Sequence, residues 1–171
     1  MNMVYLLLYV IAAMIVGFVM VKTYQEKDRM RRYVIVLLAL AMICIVSYSV
    51  NFMTDNYNVM SAATSIMMSA QDFLLVSLFI YTTAFARISN KVTKVMTIAA
   101  FVIAIIDSVV FIANIFNEIA VKYSLVKCDG IYVLGYEGEL WFGIHAVMSM
   151  IITACIIAVL VIKCIHIPGA Y

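Results

Sequence analysis

Residues 95–116 read VMTIAAFVIAIIDSVVFIANIF, and this stretch decides the fold. A helix needs about 20 predominantly apolar residues to cross a bilayer. Here one charged residue, Asp107, interrupts a run of that length. Four further segments meet the same criterion: residues 3–21, 33–53, 59–86 and 140–162. The first two carry no charge, the third only Asp72, and the last contains His145. The composition agrees, since 67% of the 171 residues are hydrophobic and 12% charged, against about half and about a quarter in soluble domains. Backbone groups in lipid must be satisfied within the chain, and the dyad alternation of a membrane barrel is missing, so the segments are read as helices. Residues 3–21 lack a basic leader and a small-residue cleavage site, so they are read as a retained helix and not a signal peptide.

The loops set the expected orientation. Lys22, Lys27, Arg29, Arg31 and Arg32 lie after the first segment, Arg87, Lys91 and Lys94 after the third, and Lys163 after the fifth. Lys122 and Lys127, with Asp55, Glu118, Asp129, Glu137 and Glu139, fall on the other side. Basic residues favour the cytoplasmic face. The expected architecture is therefore an all-α bundle of about five transmembrane helices, one polytopic domain in the plasma membrane, with the N-terminus outside and the C-terminus cytoplasmic. The loop at 117–139 is the one sizeable outer segment. Residues 123–127 and 131–136 are rich in β-branched and aromatic residues and flank Asp129-Gly130, a strong hairpin turn signal. A small extracytoplasmic β-hairpin is predicted there.

Ionisable groups at bilayer depth cost about 2.5–3.5 kcal/mol each on insertion scales and tend to face the bundle interior. At 100° per residue, Ser61, Ser65, Ser69 and Asp72 share one narrow face. So do Ala100, Ala104, Asp107 and Asn114 on the fourth helix, Cys44, Ser47 and Asn51 on the second, and His145, Ser149 and Thr153 on the fifth. At 1.5 Å per residue, His145, Asp107 and Asp72 are expected about 8, 14 and 20 Å from the outer side, which suggests a polar cavity floored by Asp72. Small and hydroxyl residues also serve ordinary helix packing. His145 lies near enough to its helix start to be a wet, capped residue, and Trp141 reads as an interfacial belt residue. The candidate ligand-binding residues are Asp72, Asp107, Asn114, His145, Trp141 and Ser69.

Other chemistry is not indicated. Gly-rich phosphate loops, His-Glu-x-x-His, Gly-x-Ser-x-Gly and CxxC patterns are absent. Two histidines and four scattered cysteines exclude a Cys/His metal framework, and with only Cys128 in a polar loop no disulfide is expected. No catalytic residue, metal or cofactor is assigned. The net charge of +2 gives no case for nucleic acid.

Three stretches carry a family resemblance. One runs from Asp129-Gly130 through Tyr136-Glu137-Gly138 to Trp141-Phe142-Gly143-Ile144-His145, the second from Phe79 to Arg87, and the third is the tail from His166 to Tyr171. With five spans and short loops, the chain resembles the N-terminal seven-transmembrane region of bacterial sensor histidine kinases and GGDEF-type diguanylate cyclases. The resemblance implies a membrane sensor that takes an external or membrane cue and has no catalysis of its own. It also implies partners: the lipid bilayer, a small-molecule or membrane ligand, and a second copy or a cytoplasmic signalling output. Helices six and seven of that family have no counterpart here, so truncation of a longer receptor is expected. Two rival readings follow from the residues themselves. One is an ion- or proton-coupled transporter or channel component using Asp72 and Asp107; the other is a non-catalytic membrane scaffold.

Overall fold

The computed structural model describes residues 3–88, 91–128 and 131–165. They form α1 (Met3–Gln25), α2 (Arg31–Val50), α3 (Tyr57–Ala86), α4 (Lys91–Asn117), β1 (Val121–Cys128), β2 (Ile131–Gly138) and α5 (Leu140–Ile165). All five helices are long and apolar enough to cross a membrane. Large apolar side chains such as Leu7, Phe18, Ile98, Ile112 and Met150 stand exposed around the bundle, as lipid-facing surface requires.

Helix ends follow their polar neighbours. Asn56 caps α3 in extended conformation, its side chain accepting from Asn58 N and Val59 N. At the other end Arg87 adopts the left-handed conformation (φ 57°), and the Arg87 and Ile88 amides return to Ala84 and Thr83 carbonyls. α1 runs past its apolar stretch to Gln25 because the Arg31 guanidinium, opening α2, donates to the Tyr24 and Glu26 carbonyls. α2 stops at Val50, short of the expected 53, and residues 51–53 form a tighter turn in which Phe52 N bonds Ser49 O and Met53 N bonds Val50 O.

α3 is the centre of the bundle. It packs against α2, α4 and α5, whereas α1 packs only on α2 among the principal contacts. Its buried residues include Met60, Ser61, Thr64, Ser65, Ser69, Asp72, Val76 and Phe79. Tyr5 and Tyr9 stack on Phe52, and Tyr9 meets Tyr48 at a tilt, holding α1 to α2 at the end where α3 begins. Asn51 donates to Thr64 Oγ1, tying α2 to α3.

β1 and β2 form an antiparallel hairpin with Val121 opposite Gly138 and Cys128 opposite Ile131. It is longer than the predicted strands by two residues at each base. The Asp129-Gly130 turn lies outside the described residues, as do the Cys128 side chain and the tail from His166 to Tyr171. Alternation sorts the two faces: Val121, Tyr123 and Leu134 are buried against Met60 of α3 and Phe111 of α4, while Lys122 and Ser124 face away. Lys122 pairs with Glu139, which raises the lysine's pKa. Gly138 is required by space, since a Cβ there would sit 2.5 Å from Phe142 Cδ1. The hairpin occupies the end of the bundle beside the first turns of α3, and α5 starts beneath it.

Candidate functional site

The polar faces of α3, α4 and α5 meet at one node. Asp107 of α4 accepts two hydrogen bonds from α5: from Trp141 Nε1 at 2.7 Å on Oδ1, and from His145 Nδ1 at 2.6 Å on Oδ2. Trp141 and His145 are four residues apart and so lie on one helical face. A carboxylate oxygen only accepts, so an ionised Asp107 fixes the imidazole proton on Nδ1. The same Nδ1 lies 3.3 Å from Asp72 Oδ1 of α3. Asp72, Asp107 and His145 are each 6% exposed.

Aromatic rings close the node. Phe111, one turn from Asp107, meets the imidazole edge-on at 5.0 Å between centroids, and Phe142 stacks on it at 6.1 Å. Apolar clusters lie on both sides: Met60, Phe111, Val121 and Leu134 toward the hairpin, and Val76, Ala100 and Ala104 toward the basic end. Such surroundings strengthen each charge-assisted hydrogen bond and penalise any group left without one.

Asp72 is the under-satisfied member. Its Oδ1 makes the longer approach to His145, its carboxyl lies beside that of Asp107, and its buried Oδ2 has no hydrogen-bond partner among the described residues. One ligand atom from each of Asp72, Asp107 and His145 lies within 4.8 Å of the others.

Four of the six sequence candidates thus converge: Asp72, Asp107, His145 and Trp141. The other two are buried but serve elsewhere. Ser69 Oγ donates to Ser65 O at 3.0 Å and approaches Ser108 O at 3.5 Å. Asn114, two turns from Asp107, staples the hairpin base to α4. Its Oδ1 accepts from Ala120 N and Val121 N, and its Nδ2 donates to Val121 O.

Several expectations are corrected here. The three ionisable residues are not staggered over 8, 14 and 20 Å; they touch. The hairpin reaches down α3 as far as Ser65, whose hydroxyl lies 3.4 Å from Tyr123 Oη, so α5 begins at depth and its sixth residue, His145, already meets Asp72. His145 is therefore buried and not a wet cap, and Trp141 turns its indole N–H inward to Asp107. On α5 the stripe ends at His145. Ser149 is half-buried, and Thr153 is exposed and bonds back to Ser149 O. Below His145, α5 instead lines an apolar groove through Met148, Ile152 and Cys155 against Phe79, Ala100 and Ile103. The rings of Phe111 and Phe142 were missed by sequence reasoning. Phe111 carried a usable signal, its i+4 spacing from Asp107.

Tyr123, outside the spans, has its phenol pKa raised by burial, partly offset by hydrogen bonding to Ser65 and Asn114.

Comparison with curated proteins and with solved structures gives no match. The family model described as the N-terminal 7TM region of histidine kinase matches residues 5–171, nearly the whole chain. The match spans all five helices and the hairpin, and the chain is therefore a member of the family of N-terminal 7TM regions of histidine kinases.

Proposed function

We propose that this chain is the sensing region of a bacterial plasma-membrane receptor, oriented with its N-terminus and hairpin outside and its basic loops in the cytoplasm. It receives an external or membrane cue and biases a cytoplasmic output of kinase or cyclase type, without catalysis of its own. The observation that carries this reading is the Asp72–His145–Asp107 node. It joins three helices through one imidazole, directly beneath the hairpin. A ligand acts only through differential affinity for two arrangements, and a directional polar contact among three helices gives such arrangements distinct energies. The excess of basic residues at one end supports the orientation.

Two experiments test it. In a background with the native cysteines replaced, Lys122→Cys should react with a membrane-impermeant maleimide added to intact cells, and Lys27→Cys should not; the reverse pattern refutes the orientation. Joined to a histidine-kinase output, the chain should transmit changes at the node. His145→Gln and Asp107→Asn, checked for folding in detergent, should each shift basal phosphorylation several-fold. Output equal to wild type in both would refute the sensor reading and leave the scaffold reading ahead.

A further inference from the structure

Two carboxylates face one imidazole at the node. A protonated His145 balances one of them, so a second ionised carboxylate leaves one negative charge among Phe111, Phe142 and apolar helix faces. Burying such a charge without a partner is strongly unfavourable. Asp107 is provided for by two donors, whereas Asp72 Oδ2 has none. A divalent cation between two ionised aspartates and a neutral imidazole brings the node to zero charge and gives the under-satisfied Asp72 carboxylate, which can turn either oxygen to the ion, a partner.

We propose that Asp72, Asp107 and His145 form a binding site for a divalent transition-metal ion of the zinc or manganese class. Metal–nitrogen and metal–oxygen bonds of about 2.0–2.2 Å place neighbouring ligand atoms about 3.4 Å apart around a tetrahedral ion and about 3.0 Å apart around an octahedral one. The imidazole nitrogen lies 2.6 Å from Asp107 Oδ2 and 3.3 Å from Asp72 Oδ1, and one ligand atom of each residue lies within 4.8 Å of the others, so side-chain adjustments of about 1 Å bring the three to those spacings. Nδ1 would bind the ion in place of its proton. Three ligands delivered by three different helices make a site that exists only when α3, α4 and α5 are assembled. One imidazole with two carboxylates favours ions that accept both nitrogen and oxygen; magnesium and calcium prefer oxygen alone. The indole N–H of Trp141 holds Asp107 by Oδ1 and leaves Oδ2 turned to the site, the orienting contact that metal-bound carboxylates commonly have. Binding does not depend on the sensor reading; within that reading the ion is the cue that the node receives.

The test is thermal unfolding of the purified, chelator-stripped protein in detergent, titrated separately with Zn2+, Mn2+, Mg2+ and Ca2+. Zn2+ or Mn2+ should raise Tm saturably, because a ligand of the folded state stabilises it by mass action; Mg2+ and Ca2+ should not. Asp72→Asn and His145→Gln preserve shape and should each abolish the shift. Trp141→Phe should weaken binding roughly tenfold. Paramagnetic resonance of bound Mn2+ on the wild-type protein gives the stoichiometry, expected as one per chain, and holds even where a variant fails to fold. No shift with Zn2+ or Mn2+, equal shifts with all four ions, or shifts retained in both variants overturns the site. Phosphorylation output that is indifferent to the ion, with binding intact, overturns only its role as cue.

Discussion

Replacing Asp107 by alanine removes the nearest acceptor of two donors at once, the half-buried Trp141 and the buried His145. The Trp141 indole N–H, at 2.7 Å, loses its partner, and the His145 Nδ1–H, at 2.6 Å, is left with only the longer approach to Asp72 Oδ1 at 3.3 Å. Hydrogen bonds to a charged group contribute about 1.5–3 kcal/mol each, so the loss for the pair comes to about 3–6 kcal/mol, a large part of the stability of an ordinary domain. Asp107→Asn keeps an oxygen for Trp141 and loses the charge-assisted bond to His145, for about 1.5–3 kcal/mol. Trp141→Phe loses one bond and costs a similar amount. The double variant Asp107→Ala with Trp141→Phe should cost no more than Asp107→Ala alone, because the bond removed by the second change no longer exists. The departure from additivity should then be about 1.5–3 kcal/mol. The assay is equilibrium unfolding in detergent followed by circular dichroism. Trp141 is the single tryptophan, so its fluorescence gives an independent local readout in the other variants. An Asp107→Ala chain within about 1 kcal/mol of wild type, or an additive double variant, refutes the description of the node as a joined network.

Other consequences are as direct. Asn114→Ala leaves two buried amides and a carbonyl at the hairpin base without their partner and should cost about 3 kcal/mol or more, with hydrogen exchange in residues 120–138 accelerating before that of α4. Gly138→Ala pushes a methyl against Phe142 and should destabilise by about 1–3 kcal/mol; Phe142→Leu in the same chain should recover part of that loss. The Tyr123 phenol pKa is raised on folding, so the unfolded chain ionises first. Stability is complete below pH about 10 and falls as pH rises through the folded value. Unfolding measured between pH 8 and 11 should show this decline in wild type and a smaller one in Tyr123→Phe.

The five helices were legible because membrane solvent imposes a crude rule: length and apolarity suffice, and residues 95–116 satisfy it without help from tertiary contacts. The hairpin was legible for a similar local reason, since Asp129-Gly130 punctuates two β-prone runs. The common inward face of Ser61, Ser65, Ser69 and Asp72 followed from helical spacing alone, and all four are buried. What spacing does not contain is the height of one helix against another. Depths measured from each helix end assume that the ends are level, and here the hairpin takes up the upper layer and delivers α5 low. Asp72 and His145, assigned to opposite levels, therefore meet. Asn114 shared a face with Asp107 and was grouped with it, but its partner is backbone at residues 120–121, whose unmet hydrogen bonds no periodicity announces. Thr153 shows the opposite failure: it holds the right angular position on α5, where the surface opposite it is apolar and its hydroxyl turns back to its own helix.

The low entry of α5 has a mechanical consequence. Its directional polar anchor lies within six residues of its start, and the rest of its length rests on apolar, sliding contacts at Met148, Ile152 and Cys155. From His145 to Ile165 the helix extends about 30 Å. A tilt of about 5° at the anchor therefore moves the far end by about 2.6 Å over that length. The imidazole is a fulcrum near one end of a long rod, and changes of a few tenths of an ångström among three side chains are multiplied by the length of the rod at its opposite tip.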